Sequence, residues 1–358
     1  MATIIFAGGG TAGHIEPALA VARAWRSAHP NDEIQFLGTK TGLENTLVPA
    51  QGFALTLIPK VAIARRPSLT WLKIPFNLIK SISVASAALT SADLLIGFGG
   101  YVSAPAYLAA RLRGVPLLVH EANAKPGWAN KLGALLTPFV AVANPVESRE
   151  FSDALLTGLP LRSDVAQAFN ESRNDWKVAR DTAKSKLGFD KKTPLIFVMG
   201  GSQGSVAINS IVSAALEGLN SKNISVLHSV GRLNSLPQSQ SWYHPVPYVE
   251  DMAMAYLASD VVIARSGAVT CSEFAALGRY ALFVPLPVGN GEQFHNAQPL
   301  VESGRAQVIN QAEFSSDFLV ASIETLLMKS AAAPIAGDPK DLDAAQKIVA
   351  LGQFALGA

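Results

Sequence analysis

Short apolar runs recur along the chain with turn-rich or helically patterned segments between them. They are Thr3–Ala7, IQFLG at 34–38, DLLIGF at 93–98, VPLLVH at 115–120 and FVAVA at 139–143. Runs of this length bounded by turn signals read as buried strands. Pro17–Trp25 repeats its apolar positions at helical spacing, and helical patterns separate the later runs. Parallel strands need such crossovers, so the pattern predicts a doubly wound α/β arrangement. The polar, charge-rich stretch 164–192 reads as a connection plus a surface helix. The strand pattern then restarts: PLIFVMGG at 194–201, a helix from about 205, ISVLHSV at 224–230, VVIA at 261–264 and YALFVPL at 280–286.

The restart sets the domain organisation. TIIFAGGGTAG at 3–13 and PLIFVMGGSQG at 194–204 are each an apolar strand entering a glycine turn, 191 residues apart. Two such turns imply two similar α/β domains, 1–161 and 162–337, with ligands at the carboxyl ends of the strands where the domains face a cleft. The stretch after Asp338 places Leu342, Ala345, Ile348, Val349 and Phe354 at helical spacing, and a helix over about 338–358 is expected to pack back on the first domain.

Composition narrows the class. The 358 residues are 49% hydrophobic and 16% charged, which excludes a disordered chain. No run of about eighteen apolar residues is present to span a bilayer. With 29 Lys+Arg against 27 Asp+Glu, the net charge of +2 is too weak to point to nucleic acid. The single cysteine, Cys271, excludes an internal disulfide framework. MATIIFAGGG lacks the basic start of a secretory signal, which predicts a cytoplasmic protein.

The candidate chemistry lies at the turns. GGGTAGH at 8–14 contains Gly8, Gly10 and Gly13 in a G-x-G-x-x-G pattern. Glycines admit close approach of a ligand, and free N–H groups at a helix start favour a diphosphate. The same pattern also serves a tight turn that binds nothing. A dinucleotide site would place an acidic residue at the end of the second strand. That strand ends at Gly38 and Thr39, with Asp32 and Glu33 before it, so a dehydrogenase loses its main support. GGSQGS at 200–205 repeats the donor-rich turn, where Ser202 either meets a ligand or caps the next helix. Duplicated turns favour a ligand with a diphosphate and two ends, such as a nucleotide sugar. His14, at the expected helix start, is a candidate general base, because a helix N-terminus disfavours the imidazolium.

SGAVTCSEFAALG at 266–278 with VPLPVGNGEQFHNA at 284–297 resembles the nucleotide-sugar signature of the MurG family of N-acetylglucosaminyltransferases. GGGTAGH, GFGGYVSAPAYLAA at 97–110, HEANAKPGWANKL at 120–132, TGLPLR at 157–162 and GGSQGSVAIN at 200–209 extend the resemblance in the family's order. It implies a B-type glycosyltransferase fold of two Rossmann-like domains, inverting chemistry and no cofactor or bound metal. It also implies transfer of N-acetylglucosamine from UDP-N-acetylglucosamine to the 4-hydroxyl of a lipid-linked muramyl-pentapeptide acceptor. Thr11, Ala12, Gly13, Asn123, Arg162, Ser202 and Gln293 match donor-sugar contacts, and Val249 matches a backbone contact to uracil. Ala268, Val269, Thr270, Cys271, Ser272 and Glu273 match the loop and helix start that hold the nucleotide, with Glu273 accepting from ribose. A carboxylate there can take both ribose hydroxyls, and Arg162 or Arg265 can neutralise phosphate. The chain departs from the family pattern at Ala12, Glu16 and Ala122. Were Ala12 to need a positive φ it would be strained, so a negative φ is expected there.

Two further features bear on the same reading. The one D-x-D pair, Asp341 and Asp343, falls in the C-terminal helical stretch and reads as structural. Between Glu44 and Asp93 there is no acidic residue, but Lys60, Arg65, Arg66, Lys73 and Lys80 are interleaved with Trp71, Leu72, Ile74, Phe76, Leu78 and Ile79. That mixture over about 60–82 suits an anionic membrane surface and a peripheral place on the cytoplasmic face. A core helix with solvated lysines is the plainer alternative. Competing functions are a UDP-N-acetylglucosamine 2-epimerase, for which no acid/base carboxylate cluster is evident, and a glycolipid synthase with a diacylglycerol acceptor.

Overall fold

The computed structural model describes residues 1–60, 74–288, 290–333 and 336–357. Its contacts divide the chain into two compact units, Met1–Leu161 together with Asp341–Ala358, and Arg162–Lys340. The chain therefore leaves the first unit, builds the second and returns.

The first unit holds strands β1 (Thr3–Gly8), β2 (Glu33–Gly38), β3 (Ala54–Leu57), β4 (Leu94–Gly99), β5 (Leu117–Glu121), β6 (Phe139–Val142) and β7 (Leu155–Leu156). They form one parallel sheet in the order β3-β2-β1-β4-β5-β6-β7. The second unit holds β8 (Leu195–Met199), β9 (Ser225–Ser229), β10 (Tyr243–Val246), β11 (Val261–Ala264), β12 (Ala281–Phe283) and β13 (Ala306–Val308), parallel in the order β10-β9-β8-β11-β12-β13. Both are Rossmann-like, with a topological switch point beside the first strand of each sheet, where crevices open at the carboxyl ends. The central strands β1, β4, β5, β8 and β11 are almost wholly buried. Helices cover both faces of such a sheet, which is why these strands read as continuous apolar runs.

Helices of the first unit are α1 (Ala12–Ala28), α2 (Glu44–Ala50), α3 (Ile74–Ala88), α4 (Ser103–Arg113) and α5 (Trp128–Ala134). Those of the second are α6 (Ser163–Asn174), α7 (Trp176–Lys186), α8 (Val206–Ser221), α9 (Met252–Ala258), α10 (Ala268–Leu277), α11 (Glu292–Glu302) and α12 (Ser316–Ala332), and α13 (Ala344–Leu356) belongs again to the first. Stretch 164–192 is thus two helices rather than a connection and one. Asp175 separates them, its carboxylate accepting from the Val178 amide at 3.0 Å to cap α7. Val165, Ala168 and Phe169 turn the apolar stripe of α6 inward, so it packs on α9 and α10.

α13 packs on α1 and lays Ile348 and Val349 into the core cluster of Ile4, Phe6 and Trp25. Gly352 permits the approach: a Cβ there would stand 2.7 Å from the Trp25 ring. Asp341 is 2% exposed and accepts from the Leu159 amide at 3.1 Å, while Asp343 pairs with Lys347 at 3.0 Å. Asp341 thus fastens this return segment, while the Asp343 pair is local to it. No helix among the described residues is long and apolar enough to cross a membrane.

Candidate functional site

In the first unit the turn after β1 carries Thr11 to His14 into the first turn of α1. Ala12 opens the helix, and the only described non-glycine residue at positive φ is Asn223, so Ala12 is unstrained. Pro17 has no N–H to give the Gly13 carbonyl, which leaves that oxygen without its helical donor. Thr11 does not cap the helix; its Oγ1 lies 3.0 Å from His14 Nδ1. His14 is half-buried between this turn and Gly99–Gly100 at the end of β4, both at positive φ. Burial holds the imidazole below its ordinary value of 6.5, against the opposing pull of Glu44 and the Gly9 carbonyl. The ring is therefore neutral at pH 7 and can accept a proton.

Beneath the turn lies a residue that the sequence reading missed. Glu44, fully buried, accepts from the Gly10 amide at 2.9 Å, the Thr39 amide at 2.8 Å and the Thr39 hydroxyl at 3.1 Å. Three glycines make room for it. A Cβ on Gly9, Gly38 or Gly42 would stand 2.8, 2.5 or 1.9 Å from its side chain. The Gly10 N–H thus points at a carboxylate, and an anion held by that amide is ruled out. One amide of the expected diphosphate cradle is therefore already taken. The only hint in the sequence was glycine spacing around an isolated acid.

Asn123 follows β5 in the same unit. Its amide N–H and side-chain Nδ2 both donate to Glu121 Oε1, at 2.8 and 3.0 Å. Glu121 Oε2 accepts from the Gly127 amide and from Asn130 Nδ2, each at 3.0 Å, and Asn130 accepts from the Tyr107 hydroxyl at 2.8 Å. Burial raises the Glu121 carboxyl, and these donors pull it back. A buried acid organises each of the two loops that carry the candidate residues of this unit.

In the second unit Ser202 lies in the turn after β8 and makes no hydrogen bond to a described residue. The cap of α8 is Ser205, which accepts from the Ile208 amide at 3.4 Å, so Ser202 is not the cap. Across the switch point, Ala268 to Glu273 form the first turns of α10. Glu273 is 1% exposed, and the Arg162 guanidinium straddles its Oε1 at 2.7 and 2.8 Å while the Tyr256 hydroxyl donates to Oε2 at 2.8 Å. Burial pushes the carboxyl up, and Arg162 and Tyr256 oppose it. Of about four lone-pair directions on a carboxylate, three are used. One is left.

Both arginines offered for phosphate have partners within the second unit. Arg162 is committed to Glu273. Arg265 donates to the Val284 and Pro285 carbonyls at 2.8 and 3.1 Å, to Ser205 Oγ at 2.9 Å and to Gln311 at 2.6 Å, tying the turn to the end of β12. Val249 is buried just before α9, and Cys271 is buried with its thiol pushed well up by desolvation, so it is inert. Gln293 accepts from the Leu286 amide at 2.9 Å. Asn296 reaches the Ser266 carbonyl at 3.4 Å, and the buried Ser266 hydroxyl has no partner among the described residues. Arg162 with Glu273, and Ser205 with Arg265, are brought together; the first unit gathers Thr11 and His14 separately. Among the described residues no group of three or more His, Cys, Asp or Glu could hold a metal ion.

The model of the glycosyltransferase family 28 N-terminal domain matches residues 4–142, and that of the family 28 C-terminal domain matches residues 195–349. A UDP-N-acetylglucosamine--N-acetylmuramyl-(pentapeptide) pyrophosphoryl-undecaprenol N-acetylglucosamine transferase from Corynebacterium glutamicum is 47% identical, covering 91% of this chain and 90% of its own. A protein of the same name from Frankia casuarinae is 44% identical over 98% of this chain and 94% of its own. The crystal structure of Acinetobacter baumannii MurG superposes with a TM-score of 0.70 at 27% identity, covering 98% of this chain and 99% of that one.

Proposed function

The chain belongs to glycosyltransferase family 28, and from that premise we propose that it moves N-acetylglucosamine from UDP-N-acetylglucosamine onto the 4-hydroxyl of undecaprenyl-diphosphate-linked N-acetylmuramyl-pentapeptide. The observation that carries this is identity of 47% and 44% to relatives named for that reaction, over nine-tenths or more of each chain. The enzyme is a UDP-N-acetylglucosamine-dependent glycosyltransferase of peptidoglycan synthesis.

In this reading the second unit binds the donor. The amide-rich turn 200–205 and the start of α10 receive the diphosphate, and their aligned N–H groups stabilise the leaving UDP. Glu273 takes one ribose hydroxyl on its remaining lone pair; Val249 meets uracil through its backbone; Ser202 and Gln293 meet the sugar and its phosphates. The first unit supplies the acceptor side. His14, neutral at pH 7, removes the proton from the attacking hydroxyl as it displaces UDP from the opposite face of C1. A single displacement inverts the anomeric centre. Thr11 holds the ring in place through Nδ1.

A membrane contact completes the proposal. Arg65, Arg66, Lys73, Trp71 and Leu72 lie outside the described residues. In the helix that follows, Phe76 and Ile79 are 71% and 68% exposed, and each cation near an anionic surface contributes about 1 kcal/mol. The full chain is expected to sediment with anionic vesicles, and Arg65→Glu with Arg66→Glu and Lys73→Glu to stay in the supernatant. Unchanged sedimentation would remove the membrane assignment.

The reaction itself is tested by incubating the protein with UDP-N-acetylglucosamine and the lipid-linked muramyl-pentapeptide, then weighing the product. A gain of one N-acetylhexosamine on that lipid is expected. Transfer to diacylglycerol alone, or epimerised donor without transfer, would replace the reading with one of its rivals.

A further inference from the structure

The second sheet has a cavity at the end remote from the glycine turn. Pro194, Asp260 and Tyr280, each just before β8, β11 and β12, line it together with Trp176, Arg180 and Arg279, and its volume is about 330 Å³. The exposed Ala331 of α12 stands on its wall.

Arg279 is the unusual member. It is 7% exposed, and its guanidinium carbon lies 3.1 Å from the centroid of the Trp176 ring. Nε donates to the Leu277 carbonyl at 2.9 Å, but the two terminal nitrogens donate to no described residue. A buried cation is ordinarily paired, because an uncompensated one costs several kcal/mol.

The acid that could pair with it is spent. Asp260 Oδ1 accepts from Arg180 at 2.8 and 2.6 Å, and Oδ2 from Lys184 at 2.8 Å and the Leu195 amide at 2.7 Å. Asp181 is engaged by Arg180 at 3.1 Å. Burial, then Arg305 and Arg180, push the Arg279 guanidinium down to about 9 against the pull of Asp260. Asp181 and Asp260 are thus paired with Arg180 and Lys184, and neither carboxylate bonds Arg279. Planar guanidinium is the natural receptor for phosphate oxygens, and the indole beneath Arg279 fixes its plane.

We propose that this cavity is a binding site for a small phosphate-bearing dianion, held by the terminal nitrogens of Arg279 on the amino-end edge of the second sheet. It is separate from the turn 200–205, which lies at the carboxyl end of β8. Its size admits inorganic phosphate or a phosphate ester of a few carbon atoms.

Calorimetric titration of the full chain with inorganic phosphate, at ionic strength held constant with chloride, tests this. Saturable binding is expected, with Arg279→Gln and Ala331→Glu each losing one phosphate per chain or binding it at least tenfold more weakly. Ala331→Glu sits on an exposed helix face, so it reports even where Arg279→Gln does not fold. Its new carboxylate should also raise the melting temperature at low salt by giving Arg279 a partner. Glycerol 3-phosphate in place of phosphate separates the two sources: tighter binding assigns the site to an ester, equal binding to the free ion. No saturable phosphate binding, or binding of unchanged stoichiometry and affinity in Ala331→Glu, would overturn the proposal.

Discussion

Individual side chains carry the sharpest contrasts in this molecule. Glu44 answers the Gly10 amide and raises the His14 ring a little against burial. Glu44→Gln keeps the shape and removes the charge, so the His14 pKa should fall further. With His14 as base, the acid limb of kcat/KM lies below pH 6.5 in the parent and shifts lower still in Glu44→Gln. His14→Ala should abolish that limb with donor affinity unchanged. A limb left in place by His14→Ala assigns the proton to another group. At Gly9 the added methyl of Gly9→Ala meets the Glu44 carboxylate at 2.8 Å; overpacking of this kind costs about 1–3 kcal/mol, read from the urea midpoint. Glu273→Gln leaves the largely buried Arg162 without its counter-charge. Breaking a buried pair costs roughly 3 kcal/mol or more, and UDP affinity should fall with it. Sequence identified Glu273 and His14 by their surrounding motifs, but not what each side chain touches. Arg162, 111 residues away, stands just before α6 and Tyr256 lies on α9, and nothing local announces that they close on α10.

Among the elements, central strands were legible and edge strands were not. β1, β4, β5, β8 and β11 are covered on both faces and declare themselves by continuous apolar residues. β3, β7, β10 and β13, the outermost of each sheet, carry no such run; β7 is two exposed leucines and β10 contains Pro245. A strand paired on one side needs less apolar surface and tolerates proline. The strands also hold two histidines away from water. His120 of β5 and His228 of β9 are each pushed down to about 4 by burial, from 6.5. The unfolded chain takes up these protons first as pH falls below 6.5. Stability is therefore full above 6.5 and declines toward pH 4, by up to about 3 kcal/mol per ring. Denaturant midpoints at pH 7 and 4.5 should show the loss, and His228→Gln should reduce it.

At the scale of the whole molecule, two Rossmann-like units were readable from one repeated strand-and-glycine pattern, because the same local problem is solved twice. The two turns look alike in sequence and differ in charge: a buried carboxylate underlies the first, whereas Arg265 anchors the second. On the proposal that the second unit holds the anionic donor, phosphate competition should be lost on altering 200–205 but not 8–10. The identity of the relatives and the family models covers both units, so the assignment to a glycosyltransferase rests on the chain as a whole.

The returning helix α13 has a consequence for biosynthesis. Trp25 is made before the second unit, yet Gly352, Ile348 and Val349, which share its core, are made after it. The nascent first unit must wait, incomplete, while the second is translated, with its indole open to chaperones. A stop codon a few residues before Ala344 is thus no trimmed tail: it uncovers the oldest part of the core, and its product should be cleared by proteases although every candidate site residue is intact.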